Sequence, residues 1–154
     1  MTAEARKAVP TDVPALLPLV GAYWAFEGIA GFEARRIGRT LERLLSEPRL
    51  GGGWLAFANG GPVGYLLGVY VFSLEHGGLT AEIDELFVVP HERHTGAGSA
   101  LLRAAEAEFV RIGCTNVSLQ LSKGNEDARR FYLRHGYGER AGYELLEKTL
   151  RGAT

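Results

Sequence analysis

Three clusters of residues in this chain have types and spacings suited to chemistry. The densest is Leu86-Phe87-Val88-Val89-Pro90-His91-Glu92-Arg93-His94-Thr95-Gly96-Ala97-Gly98-Ser99-Ala100-Leu101-Leu102, a strand pattern that runs through a polar loop into a glycine-started helix. The first N–H groups of a helix lack partners and sit at the positive end of its dipole, so such a junction suits a phosphate. Gly96 and Gly98 would let a ligand reach the backbone, although a glycine-rich helix entry can also exist without one. Upstream, Glu82, Asp84 and Glu85 put three carboxylates within four positions of one strand pattern. Carboxylates are disfavoured in central strands, so the crowding reads as a solvated functional cleft or as a wet sheet face. Strict alternation would place Glu82 and Asp84 on one face and Glu85 on the other. The third cluster, Tyr23, Trp24, Phe26, Glu27 and Phe32, mixes large aromatics and an acid among glycines between two helix patterns.

Known phosphate loops differ from this one. A dinucleotide-binding turn needs a third glycine where Leu101 stands, and the 90–95 segment is too long for its tight turn. A P-loop needs a Gly-Lys-Ser/Thr triplet, which is absent. His91 and His94 lack the spacing of a His-Glu-x-x-His zinc helix, so they read as solvated loop residues and no metal is expected.

The elements that must position these clusters follow from periodicity. A short strand at 6–9 precedes a helix with Thr11 as N-cap, Asp12 in its first turn, and Leu16, Leu17, Val20 and Tyr23 at helical spacing. A second helix within 33–46 carries Ile37, Leu41, Leu44 and Leu45 on one stripe, with Pro48 beyond it. Strands at 54–58, 63–72 and 80–89, joined by Asn59-Gly60-Gly61-Pro62 and Glu75-His76-Gly77-Gly78, form an antiparallel meander. A helix at 98–112 with Leu101, Leu102, Ala105, Phe109 and Ile112 on one face leads to a strand alternating Val117, Leu119 and Leu121, a parallel crossover. A short helix from Asn125 to Arg134 follows, and a last strand pair is expected at 137–140 and 143–149. The order β-α-α-β-β-β-α-β-α-β-β implies a mixed α/β sheet in one domain spanning 1–154.

Composition narrows the classes. The chain has 154 residues, 46% hydrophobic and 23% charged, which suits one soluble globular domain and disfavours disorder and coiled coil. Seventeen basic against eighteen acidic residues give a net charge of −1, so no global field draws the chain to nucleic acid or an anionic membrane. No run of eighteen apolar residues and no apolar leader occur, and the single Cys114 forbids an internal disulfide, so a cytoplasmic, unanchored protein is expected.

The segment Arg93-His94-Thr95-Gly96-Ala97-Gly98 resembles the Arg/Gln-x-x-Gly-x-Gly/Ala signature of the GNAT superfamily of N-acetyltransferases. About thirty residues later, Asn125 followed by Ala128-Arg129-Arg130-Phe131-Tyr132-Leu133-Arg134-His135-Gly136-Tyr137 resembles that family's second motif, and the initial strand with two helices extends the likeness over nearly the whole chain. His94 and Thr95 depart from the commonest form, which has glycine and often lysine there. The resemblance implies acetyl-CoA between two splayed parallel strands, its pyrophosphate on the N–H groups of Arg93, His94, Thr95, Gly96, Ala97, Gly98 and Ser99. It further implies pantetheine along Leu86, Phe87 and Val88, with Asn125 holding its arm.

The same resemblance assigns Tyr132 as the acid for the departing thiolate, since a phenol of pKa near 10 keeps its proton at neutral pH; without the motif, this tyrosine reads as core. An acceptor amine must first lose a proton, and family members place a base at positions matching Asp84, the favoured choice here, or Glu82. A backbone N–H near Phe87 or Val88, at a bulge of this strand, would polarise the acetyl carbonyl. Cys114 has no activating base, so direct transfer in a ternary complex is expected rather than an acetyl-cysteine. Trp24, Phe26, Glu27 and Glu85 are expected to line the acceptor side, where acids among aromatics suit a small, polyamine-like cation; a packed apolar lid is the alternative. The leading expectation is transfer to a small-molecule amine. The alternatives are a protein N-terminal or lysine acetyltransferase and a noncatalytic acetyl-CoA sensor. Exposed last strands of such sheets often pair between subunits, which admits a homodimer.

Overall fold

The Asp12 carboxylate decides where the first helix begins. It accepts the Val9 N–H at 2.8 Å and pairs with Arg6 at 2.8 Å, and the Arg6 hydrogen bond holds its pKa below the usual range. Pro10–Asp12 therefore form a 3-10 turn, and Asp12 rather than Thr11 occupies the N-cap position of α1 (Val13–Glu27). Gly28, at a left-handed φ of 70°, ends α1. The helix α2 (Ala34–Ser46) starts on Glu33, whose two carboxylate oxygens accept the N–H groups of Arg35 (3.1 Å) and Arg36 (2.8 Å).

The computed structural model describes residues 2–151, and the chain divides after Leu119 into two compact units. In the first, β1 (Glu4–Lys7), β2 (Gly51–Ala58), β3 (Gly61–Ser73), β4 (Gly78–Val88) and β5 (Val117–Leu119) form one sheet in that spatial order. Neighbours from β1 to β4 are antiparallel, and β5 is parallel to β4 after a crossover through α3 (Ala97–Arg111). The parallel ladder is short: it pairs Ala81, Ile83 and Glu82 with Val117, Leu119 and Ser118, then stops.

Each face of the sheet has its own core. Leu55, Tyr65, Leu67 and Phe87 pack with Leu16, Leu19, Val20, Ile37 and Leu41 of α1 and α2. On the opposite face Phe109 of α3, 1% exposed, meets the ring of Trp54 at 5.5 Å and that of Tyr70 at 6.0 Å, both edge to face. Burying a ring of that size contributes about 1.5–3 kcal/mol. Gly68 makes room for it, because a Cβ there would lie 2.8 Å from Phe109 Cζ.

The second unit holds α4 (Glu126–Arg134), whose N-cap Asn125 accepts the Ala128 N–H through Oδ1 at 3.2 Å. The expected strands at 137–140 and 143–149 are not formed, so the sheet has five strands and not seven. Tyr143, Leu145, Leu146 and Leu150 remain 64% to 90% exposed; alternation alone gives a strand neither a ladder partner nor a surface to cover.

The close approach at Gly68 yields a stability prediction. With the Phe109 ring flanked by Trp54 and Tyr70, Gly68→Ala forces ring and strand apart and is expected to cost about 1–3 kcal/mol, read from the urea midpoint at unchanged slope.

Candidate active site

The carboxylates of β4 do not follow strict alternation. Leu67 of β3 pairs with Glu85 while the next residue, Gly68, pairs with Ile83, so Asp84 is an extra residue, a β-bulge. The insertion changes the parity of the strand. Glu82, opposite Val69, and Glu85, opposite Leu67, both face α1, whereas Ile83, opposite Gly68, faces α3. The expected separation of Glu82 from Glu85 is thereby corrected, and the bulge lies at Asp84 instead of near Phe87 or Val88.

Glu85 is held from two sides. The Trp24 indole Nε1–H donates to Oε2 at 2.9 Å and the buried Tyr65 hydroxyl donates to Oε1 at 2.7 Å. Burial raises the Glu85 pKa above the carboxylate range, the two donors pull it back, and Asp84 adds to the rise. With both oxygens engaged, Glu85 ties the end of α1 to the sheet. Asp84 differs: it is exposed and, among the described residues, its carboxylate has no recorded hydrogen bond, while surrounding protein desolvates it enough to raise its pKa. Glu82 lies within the ladder, paired on one side with Val69 and on the other with Ser118.

The aromatic cluster is mostly helix, because α1 continues to Glu27; this corrects the expectation that Trp24, Phe26 and Glu27 belong to a loop. Tyr23 packs on Phe87 at 5.6 Å and edge-on to Tyr65 at 6.4 Å. Its phenol pKa is pushed up to about 12, chiefly by burial and then by Glu27, Glu85 and Asp84. The lesser part of that rise, from the three acids, is a negative potential that also favours a bound cation. Trp24 meets Phe32 edge-on at 5.9 Å, and Phe26 is 54% exposed.

The glycine loop begins with a 3-10 turn, Pro90–Thr95, that Gly96 closes at a left-handed φ of 80° while also occupying the N-cap position of α3. No side chain caps that helix start, and the first helical bond runs from Ala100 N–H to Gly96 O at 2.9 Å. The side chains of Thr95 and Ala97 are buried, so backbone N–H groups are what these residues offer a ligand. His91 and His94 are exposed on the turn, and Ser99 and Gly98 are half-buried on α3. Asn59 Nδ2 donates to both oxygens of Glu92 at 3.1 and 3.0 Å, which ties the loop to the β2–β3 turn. Leu86 and Val88 face α3, and Phe87 is buried toward α1. After Ile83, β4 has no ladder with β5; the Val88 carbonyl is taken by the Arg93 Nε–H at 3.0 Å, and the other backbone groups on that edge of 84–88 are placed for an extended partner.

In the second unit, Tyr132 is buried on α4 between the rings of Phe131 (5.2 Å) and Tyr137 (5.5 Å), and Phe131 stacks on His135 at 4.6 Å. Asn125 spends its Oδ1 on the helix cap. Among the described residues no cluster of three or more His, Cys, Asp or Glu could hold a metal, and no helix is long and apolar enough to cross a membrane. Sequence reasoning does not single out Tyr65, which sits in an apolar strand run; a phenol within such a run is the available signal, since a buried hydroxyl needs a partner.

Residues 19–137 match the family described as Acetyltransferase (GNAT) family. The chain is 41% identical over 83 residues to the aminoalkylphosphonate N-acetyltransferase of Salmonella typhimurium, a match that spans 54% of each protein, about half the relative's length. It is 30% identical to the uncharacterized N-acetyltransferase YhfO of Bacillus subtilis over 90% of this chain and 91% of that one. Among solved structures, an integron cassette protein from the mobile metagenome of Cole Harbour Salt Marsh superposes with a TM-score of 0.84 at 29% identity, covering 97% of this chain and 91% of the other.

The double hold on Glu85 gives a pH-dependent prediction. Its folded pKa is raised above the unfolded value, so burial of Glu85 destabilises the protein increasingly as pH rises through the folded pKa, and the Tyr65 hydroxyl offsets part of that only while the carboxylate is charged. Tyr65→Phe is therefore expected to cost about 1.5–3 kcal/mol near pH 8 and clearly less near pH 4, where Glu85 is protonated, read from urea unfolding at both pH values.

Proposed function

This chain belongs to the GNAT family of acetyltransferases, and on that premise we propose that it transfers the acetyl group of acetyl-CoA to a primary amine of a small molecule, by direct attack in a ternary complex. The observation that carries the reading is Asp84, a carboxylate that water reaches, that has no recorded internal partner among the described residues, and that the bulge sets beside the free edge of β4. A raised pKa makes it a stronger base than an ordinary carboxylate, as proton removal from an ammonium requires. The negative field around Tyr23 supports a cationic acceptor, and the likeness to an aminoalkylphosphonate N-acetyltransferase favours a small one over a protein.

The residues present fit acetyl-CoA. The uncapped first turn of α3 after Gly96 offers the N–H groups of Ala97, Gly98 and Ser99 to a pyrophosphate, those of the 3-10 turn being engaged within it, and the β4 edge at 86–88 offers peptide groups to pantetheine. When bound, that molecule supplies an activated acetyl thioester. The chain's part is to take a proton from the acceptor nitrogen on the Asp84 carboxylate, directly or through a water, and to keep a proton on Tyr132 Oη for the leaving sulfur. Glu85 keeps the bulge in place, and Glu82 is the second candidate for the base.

Thiol release from acetyl-CoA with a panel of small amines, and with a peptide carrying a free N-terminus, tests the reading; release with the peptide alone overturns it. Asp84→Asn is expected to lower turnover roughly 100- to 10,000-fold and to remove the acid limb of the kcat/KM profile, a limb lying above the usual carboxylate range in the wild type. Tyr132→Phe keeps the ring packed on Phe131 and Tyr137, so coenzyme affinity is expected to hold while turnover falls roughly 10- to 1000-fold; kinetics within about twofold of wild type would make the residue packing alone.

A further inference from the structure

The Arg93 side chain turns from the glycine loop toward α1. Its Nε–H donates to Val88 O at 3.0 Å, which fixes the guanidinium plane, and its Cζ lies 5.2 Å from the Phe26 ring centroid and 5.7 Å from that of Phe87. Two aromatic faces hold this cation, and among the described residues it forms no salt bridge and its terminal nitrogens have no recorded acceptor. Arg93 is exposed, so those N–H groups are open to solvent. A guanidinium whose Nε is already satisfied presents its two terminal nitrogens in the fork geometry that carboxylates and phosphonates match.

The cation is not isolated from the acids. The Phe87 ring that carries it also packs on Tyr23 at 5.6 Å, and Tyr23 feels the charges of Glu27, Glu85 and Asp84. One aromatic wall on the α1 face therefore has carboxylates at one end and a free guanidinium at the other. Two residues of β4 lie between Asp84 and Phe87, three steps or roughly 10 Å of extended strand, a span that a short aliphatic chain bridges. An amine with a second positive charge would meet Arg93 unfavourably.

We infer that Arg93 reads an anionic group on the acceptor, so that the substrate is a small zwitterion with a primary amine at one end and a carboxylate or phosphonate at the other. The inference rests on the amine acetyltransferase reading and names its substrate class. Its backbone stays with the glycine loop; its guanidinium serves the acceptor.

The test ranks four acceptors of matched chain length by kcat/KM in thiol release: 4-aminobutanoate, aminopropylphosphonate, propylamine and diaminopropane. In the wild type at least one of the two anion-bearing amines is expected to exceed propylamine by roughly 10- to 100-fold, and diaminopropane to rank last. Arg93→Gln is expected to shrink that preference to within about threefold, mainly through the acceptor KM, and Arg93→Lys to keep part of it. The better of the two anions identifies the group. Propylamine or diaminopropane equal to or better than both anion-bearing amines overturns the inference and leaves amine acetylation intact. A uniform loss on all four in Arg93→Gln, with a smaller melting shift on adding acetyl-CoA, also overturns it, by giving the guanidinium to the coenzyme. Transfer to none of the four removes the amine reading and this one with it. Should Arg93→Gln fail to fold, the wild-type ranking decides.

Discussion

A carboxylate taken out of water must be given hydrogen bonds, and the way Glu85 receives them organises the first unit. Its partners come from two elements, the indole of Trp24 on α1 and the phenol of Tyr65 on β3, so satisfying one charge docks a helix on a sheet. For the carboxylate to reach them, β4 must present Glu85 to the α1 face, and it does so only because Asp84 is inserted out of register. The helix position, the bulge and the exposure of Asp84 are thus linked: one buried charge explains why the neighbouring one is left to water.

The electrostatics of this face follow from the same arrangement. Burial first, and then three nearby acids, raise the Tyr23 phenol pKa, while a guanidinium on the far side of Phe87 is held by ring faces and a carbonyl instead of a counter-ion. Opposite charges separated by aromatic rings do not cancel by contact. Asp84 at one end and Arg93 at the other keep the wall polar along its length although its middle is apolar.

Much of this was legible in the sequence because the signals were local. Asn125 announces a helix start by its own side chain, Gly96 marks a junction whose left-handed φ favours glycine, and the meander shows in its turn residues. What escaped depends on something elsewhere in the chain. Counting by twos along β4 cannot register an extra residue, since the evidence for it is the partner strand, where Leu67 and Gly68 skip across Asp84. The aromatic segment was read as a loop for its glycines, yet Gly28 marks the end of α1 and not its middle, so Trp24, Phe26 and Glu27 ride on a helix. The last strands are expected at 137–140 and 143–149 around Ala141-Gly142, and a turn of that kind says nothing about whether a neighbour exists to pair with them.

The bulge also makes chain length, and not residue identity, the guarded quantity in β4. Exchange of Asp84 for another residue alters one side chain. Its excision would restore a regular ladder and turn every residue on one side of the gap to the opposite face: either Glu85 would enter the apolar layer near Phe109, or Ile83 would leave it. A substitution along the strand is therefore felt at one position, whereas a single residue gained or lost between Ile83 and Phe87 exchanges the two faces of the strand on one side of it at one stroke.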